Sequence, residues 1–242
     1  MTTSADVTFT GLPAIMRAAR LLLVAAGLGL GVRVVRSRHR RSLHPAGRSF
    51  TGELEIWGAD PPAGSTLTDR PGRHPVTVRL SKGVGTRGDR PDILGLAVRT
   101  STADILLSTT GRGRLTRHLP IPRRTFDSRY GSITAYRAGD GHQVHLGAEP
   151  TAGDRPLGRT LAGLTTAARR GADITLHVRS GRVDRPFGRL TVGRPLSPAA
   201  DATLAFNPVH NAAADLHPTG LIHGSRALAY RLSQRWRRVP PA

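Results

Sequence analysis

The stretch His74-Pro-Val-Thr-Val-Arg-Leu-Ser-Lys-Gly-Val-Gly-Thr-Arg-Gly-Asp89 decides the fold class, because its first half alternates and its second half is built of turn residues. In an extended strand Val76, Val78 and Leu80 face one side, while Thr77, Arg79 and Ser81 face the other. A closed sheet would put one of these two faces inside, either the apolar trio or the polar one. An arginine taken out of water needs an anion, and a hydroxyl two residues along can orient a neighbouring side chain. An ordinary strand with an exposed polar face gives the same pattern.

Outward from this stretch, similar alternation recurs over 49–57, 75–81, 93–100, 103–109, 131–137, 142–148, 173–179 and 187–193. Turn clusters such as Gly58-Ala-Asp-Pro-Pro and Ala138-Gly-Asp-Gly separate these runs. Eight short strands in succession point to a mostly antiparallel barrel or sandwich. Helices are expected over 156–170, where Leu157, Leu161, Leu164 and Ala168 share a face ahead of Gly171, and over 225–237 behind Ser225 as N-cap. The spacing also predicts a helix over about 12–35, whose uncharged core from Leu21 to Val32 is shorter than the roughly 20 residues a spanning helix needs. Arginines 33, 36, 38, 40 and 41 follow that run where a signal-peptide cleavage site would stand. The expected location is therefore cytoplasmic, with any membrane association made through this N-terminal helix.

The 242 residues suffice for one sizeable core but not for two large domains. The expected division is a helical leader with a basic linker over 1–40, then one domain over 41–242. Cysteine is absent, which excludes a disulfide framework, a thiolate nucleophile, a Cys-based zinc site and an iron–sulfur cluster. The net charge of +20 rests almost wholly on arginine, since Lys82 is the only lysine. Such a charge attracts nucleic acid or anionic lipid non-specifically. A dedicated binding module would need exposed aromatics among its arginines, and this chain has ten aromatics in all, two Trp, three Tyr and five Phe.

Further motifs carry less. Gly83-Val-Gly85-Thr-Arg-Gly88 lacks the Lys-Ser/Thr of a phosphate-binding loop and reads as a turn. His142, His145 and Glu149, and the group His210, His217 and His223, lack the convergence and the carboxylates of a metal site, so they read as surface or hydrogen-bonded histidines. The same shortage weighs against a phosphodiesterase-type hydrolase. Arg226 and Tyr230 stand four residues apart on the last expected helix, where a guanidinium favours the phenolate, a hard ligand for ferric iron; packing beside a surface arginine explains the pair equally.

Taken in order, several of these motifs resemble the catalase superfamily. Arg41-Ser-Leu-His44 is similar to its Arg-Val-Val-His stretch. Val78-Arg-Leu-Ser-Lys-Gly-Val-Gly85-Thr-Arg-Gly88 is similar to its Val-Arg-Phe-Ser-x-x-x-Gly-x-x-Gly run, and Pro91-Asp-Ile-Leu-Gly95-Leu-Ala-Val-Arg99 to Arg-Asp-x-Arg-Gly-Phe-Ala-x-Lys. Asp104-Ile-Leu-Leu-Ser108 stands where the family has Asp-Leu-Val-Gly-Asn, and Phe206-Asn-Pro208 and Arg226-Ala-Leu-Ala-Tyr230 resemble its Phe-x-Pro and proximal Arg-x-x-x-Tyr. The match covers roughly 41–109 and 204–235.

The resemblance implies an α+β fold, a mostly antiparallel catalase-like β-barrel with an N-terminal helix and C-terminal helices. It implies haem b as cofactor and a peroxide or organic hydroperoxide as substrate, with an oligomer compatible with the sequence. His44 would be the distal acid/base and Ser81 would fix its tautomer. Arg41 and Arg79 would pair with haem propionates, and Tyr230 would be the axial ligand, kept as phenolate by Arg226. Ser108 replaces the family's distal Asn, which bears on how peroxide is oriented. The alternative is the same fold without haem chemistry, acting as a basic membrane- or nucleic-acid-associated binding module.

Overall fold

The computed structural model of the chain describes residues 44–113, 115–152, 156–208 and 211–219. Ten strands succeed one another: β1 (Ala46–Ile56), β2 (Gly72–Lys82), β3 (Leu94–Arg99), β4 (Asp104–Thr109), β5 (Tyr130–Gly131), β6 (Tyr136–Ala138), β7 (Gln143–Pro150), β8 (Ala172–Ser180), β9 (Val183–Pro195) and β10 (Leu216–Pro218). The order β7-β5-β4-β3-β2-β1-β9-β8 closes through a β7–β8 pairing into an eight-stranded antiparallel barrel, with β6 and β10 continuing the sheet beyond β7. With the short helices Thr66–Asp69, Leu161–Arg169 and Pro198–Thr203 this is the expected α+β barrel class.

The alternation in 74–82 resolves in favour of the apolar trio. Val76, Val78 and Leu80 lie in the core, and the register Phe50–Val78–Val98–Ile105 forms one layer of it across four strands. Each such side chain stabilises the barrel by about 1.5–3 kcal/mol. Tyr130 is also fully buried and its hydroxyl donates to the Phe126 carbonyl at 2.9 Å. Burial, helped by the nearby Asp127 charge, holds its phenol well above the ordinary range, so it stays a neutral donor.

Several boundaries differ from the sequence reading. The strand expected over 131–137 breaks into β5 and β6 because Ser132 interrupts the ladder: its N–H donates to the Leu146 carbonyl at 2.8 Å and its hydroxyl accepts from the Leu146 N–H at 3.1 Å. The helix expected over 156–170 begins only at Leu161, where Thr160 caps the Gly163 N–H. Before it, the N–H groups of Leu157 and Gly158 are held by Asp127 at 2.6 and 3.0 Å, and Gly158 has φ +85°. Gly171, at φ +72°, ends the helix as expected.

The 83–88 turn closes around a carboxylate. Asp92 accepts from the N–H groups of Val84 and Thr86, both at 2.8 Å, so the donors a phosphate would need are already used. Burial alone would raise the Asp92 carboxyl, but these bonds outweigh it and hold it below its ordinary value. Lys82 donates to the carbonyl of Gly88 at 2.6 Å and lies buried, a structural role for the single lysine.

The expectation of membrane association through an N-terminal helix is corrected: no helix among the described residues is long and apolar enough to cross a membrane. The helices expected over 12–35 and 225–237 lie outside the described residues.

Candidate functional site

Register places a row of small residues across the outer face of the sheet. Gly47 pairs with Ser81, Ser81 with Gly95, Gly95 with Ser108, Ser108 with Gly131 and Gly131 with Gly147. Paired residues share a face, so Ser81 and Ser108 point the same way, on either side of a glycine that presents no side chain.

His44 lies over that glycine. A Cβ on Gly95 would stand 2.5 Å from His44 Cε1 and 2.6 Å from Nδ1, so the absence of a side chain at 95 is what makes room for the imidazole. The backbone holds the ring from the other end, since the His44 N–H donates to the Gly83 carbonyl at 3.2 Å. His44 itself has φ +56°, a left-handed conformation that costs a non-glycine residue about 1 kcal/mol and persists only where surrounding contacts impose it.

Ser81 Oγ is 3.0 Å from His44 Nδ1 and 3.4 Å from the Gly95 carbonyl oxygen. The hydroxyl has one hydrogen. When it points to the carbonyl, Ser81 accepts from Nδ1–H and Nε2 is left as the basic nitrogen of the ring. Ser81 is buried and sits on a central strand, which fixes this geometry.

Two residues earlier on the same face, Arg79 is only 5% exposed. A Cβ on Gly47 would come within 2.6 Å of its guanidinium carbon, so a second glycine gives it space. The anion that burial demands is present: Arg79 Nε lies 3.4 Å from Asp201, which also accepts a short hydrogen bond from Ser49. Asp201 belongs to the helix Pro198–Thr203, started by Ser197, whose hydroxyl caps the Ala200 N–H, and by a proline at its first position. The sequence reading passed over this helix and its aspartate, although Ser-Pro-Ala-Ala-Asp has the signature of a helix start.

One more register pair along the face, Asp104 anchors the segment that carries Phe206-Asn-Pro208. It binds Arg99 in a two-pronged pair at 2.8 and 2.7 Å and accepts from the Asn207 N–H at 2.7 Å and from Asn211 at 3.0 Å. The Arg99 guanidinium then stacks 5.1 Å from the Phe206 ring centre.

The structure thus brings together His44 and Ser81, puts Ser108 across Gly95 from Ser81, and sets Arg79 beneath Asp201. Arg41, Arg226 and Tyr230 lie outside the described residues. Among the described residues no three His, Cys, Asp or Glu side chains converge as a metal site. His142 pairs with Asp140, and His145 packs edge-on against His118 at 5.2 Å. As a haem cradle the described half fits in two respects: an imidazole bonded to Ser81 and seated on glycine, and a buried guanidinium. In a third respect it is already served, because Asp201 neutralises that guanidinium.

No protein-family profile matches the chain, and no curated protein does. Solved structures are similar to it. A fungal catalase shares the fold with a TM-score of 0.64 at 12% identity, over 99% of this chain and 65% of that one. Catalase A from Saccharomyces cerevisiae does so with a TM-score of 0.61 at 14% identity, over 98% and 66%. The chain therefore spans slightly less than two thirds of the length of either, and at these identities the likeness establishes a catalase-like fold.

Proposed function

We propose that the chain is a haem-dependent peroxide-processing protein, acting on hydrogen peroxide or an organic hydroperoxide. The observation that supports this most is the His44–Ser81 pair seated over Gly95 on a catalase-like barrel. Haem, when bound, would supply a redox-active iron and would be held by Tyr230 with Arg226 beside it, both assigned by sequence resemblance.

The chain's own residues handle the proton. With Nδ1–H given to Ser81, His44 Nε2 takes the proton of the peroxide O–H and returns it to the oxygen that leaves as water or alcohol. Gly95 and the Gly83 carbonyl hold the ring so that the same nitrogen serves in both directions. Ser108 offers one hydroxyl where an amide would offer two N–H donors, so it orients a bound peroxide less firmly and suits a substrate positioned by its organic part. Arg79, together with Arg41, would meet a haem propionate by exchange with Asp201.

The test is an absorption spectrum of the protein as purified and after hemin addition, alongside Tyr230→Phe and His44→Ala. Stoichiometric uptake with a ferric tyrosinate spectrum is expected, lost or shifted in Tyr230→Phe. His44→Ala should keep the spectrum and lose at least about 100-fold in peroxide consumption, the scale of a positioned acid/base. No specific uptake, or a spectrum indifferent to Tyr230, would overturn the proposal.

A further inference from the structure

Two strands beyond Ser108 the same outer face opens into a concavity. Its floor is Gly131 and Gly147, and its walls include Thr110, Arg117, Arg129, His145, Arg179 and Asp184. The floor must be glycine at 131, where a Cβ would stand 2.7 Å from Thr110 Oγ1. Three guanidinium groups, Arg117, Arg129 and Arg179, share this space with one carboxylate, Asp184, which Arg129 holds at 2.7 Å and Arg179 holds more closely still. Glu149, nearby, is turned to His177 at 3.4 Å and Arg112 at 3.6 Å. The lining therefore keeps an excess of positive charge partly out of water, which favours an anion.

Unmet hydrogen-bonding capacity says which kind. Arg179 Nε, His145 Nδ1 and Asp184 Oδ1 are closed off from solvent and have no hydrogen-bond partner. Left unsatisfied, each such group weakens the fold, so a partner for it is favoured. Arg179 Nε can only donate. Asp184 Oδ1 can only accept while ionised, and it is held ionised: burial would raise this carboxyl, but the bonds from Arg129 and Arg179 outweigh that and lower it. Burial, then the charges of Arg117, His118 and Arg179, outweigh a hydrogen bond to the Ser132 backbone and push His145 down to about 4, so at neutral pH the ring is uncharged and its one N–H serves that backbone bond. The complementary ligand therefore accepts a hydrogen from Arg179 and gives one to Asp184.

Size narrows the class. The concavity holds about 340 Å³ with its open mouth included, at the small end of ligand-binding cavities, so a small head group suits it better than a large ligand.

We propose that this concavity binds a small protonated oxyanion of phosphate type, one oxygen accepting from Arg179 Nε and the others facing Arg117, its hydrogen given to Asp184 Oδ1. Free hydrogenphosphate and the head of a phosphomonoester share this chemistry. Hydrogenphosphate keeps an O–H at about pH 7.5, whereas a monoester, with its second pKa near about 6, has largely lost its own.

Binding is measured by titration calorimetry on the full chain at matched ionic strength and about pH 7.5, with inorganic phosphate, methyl phosphate and sulfate, then repeated near pH 5.5. Saturable one-to-one binding of phosphate is expected, at least about tenfold tighter than sulfate, which has no hydrogen to give. Methyl phosphate binding more tightly than inorganic phosphate at about pH 5.5, where both carry an O–H, identifies a monoester head as the better occupant; free phosphate staying ahead at both pH values identifies the ion. Arg179→Gln abolishes binding, but it also cuts a tie between β8 and β9. Arg117→Gln, outside any strand, is the second variant and weakens phosphate about tenfold or more, while Arg189→Gln, on Glu55 elsewhere on the barrel, leaves it unchanged. Equal effects of phosphate and sulfate, or wild-type affinity in Arg117→Gln, would overturn the proposal. None of these outcomes depends on haem.

Discussion

His44 and His145 stand on the same outer face of the barrel, on opposite sides of Ser108 in a row of small residues, and the contrast between their surroundings separates two kinds of site. His44 has Nδ1 fixed by Ser81, is seated on Gly95 and is forced into a left-handed backbone conformation. His145 has Nδ1 without a partner, faces cations on several sides and is pushed down to about 4. A ring that is to pass a proton back and forth needs its tautomer set in advance by a neighbour. A site that is to receive a ligand needs unmet hydrogen-bonding atoms, here Arg179 Nε and Asp184 Oδ1 beside the ring. Glycine serves both, beneath the imidazole at 95 and on the floor of the concavity at 131 and 147.

The largest effect comes from filling the first of these glycines. In Gly95→Val the new Cβ begins 2.5 Å from His44 Cε1 and 2.9 Å from Ser81 Oγ, so the ring has to leave its seat. We expect peroxide consumption to fall about 100-fold or more, the scale of a misplaced acid/base. Far-UV dichroism should be retained, because the new side chain is on the outer face. The paired control is Gly147→Ala, where a Cβ meets its nearest neighbour, the Tyr130 carbonyl, at 3.4 Å, an ordinary contact. Its peroxide consumption should match the wild type. Equal losses in the two variants would erase the distinction between the two sites.

A smaller effect is expected where the haem reading and the structure compete for one guanidinium. Arg79 is held by Asp201 at 3.4 Å, and Asp201 is held in turn by Ser49. Replacing that carboxylate in Asp201→Asn keeps the shape and removes the competitor, so hemin affinity should rise severalfold, read from the midpoint of a hemin titration. An unchanged midpoint would show that Arg79 serves the barrel's outer layer alone, as part of a buried ion pair whose net contribution to stability is small.

The contrast also shows which parts of this molecule can be read along the chain. Alternation located seven of the eight expected strands to within four residues at each end, because one side of a barrel strand is always core. The eighth failed at Ser132, where a side-chain hydroxyl takes over a backbone bond, a local event with no periodic signature. Within the candidate site, His44, Ser81 and Arg79 were legible because they fall in two short motifs, one of which runs directly into the 83–88 turn. Asp201, 122 residues from Arg79, was not, since only the fold brings helix Pro198–Thr203 over that face. The basic concavity was legible nowhere, because its lining comes from β5, β7, β8, β9 and the 110–117 connection, and Arg117, Arg129 and the pair Arg179 and Asp184 stand in separate parts of the sequence.

The finest test of the contrast is the pH dependence of stability. The ordinary histidine value is about 6.5, and His145 in the folded chain lies at about 4. A folded value below the unfolded one means that the unfolded chain binds the proton first. The contribution of the neutral ring is therefore fully present above about pH 6.5 and is lost progressively as pH falls toward about 4. His177, also lowered by burial although Asp184 and Glu149 oppose it, adds in the same direction. Asp184 acts in a lower window: its folded value is depressed, so its contribution is lost only as pH falls below the ordinary carboxylate range. In His145→Gln, which cannot titrate, urea midpoints should decline less steeply between about pH 6.5 and 4 than in the wild type, with the two curves converging in slope above about pH 7. Inorganic phosphate added to the wild type should flatten the same limb, because an anion beside His145 offsets the cations that suppress it. A slope unaltered by the substitution would mean that His145 is not held neutral, and the difference between the two histidines would then lie in the hydrogen bond to Ser81 alone.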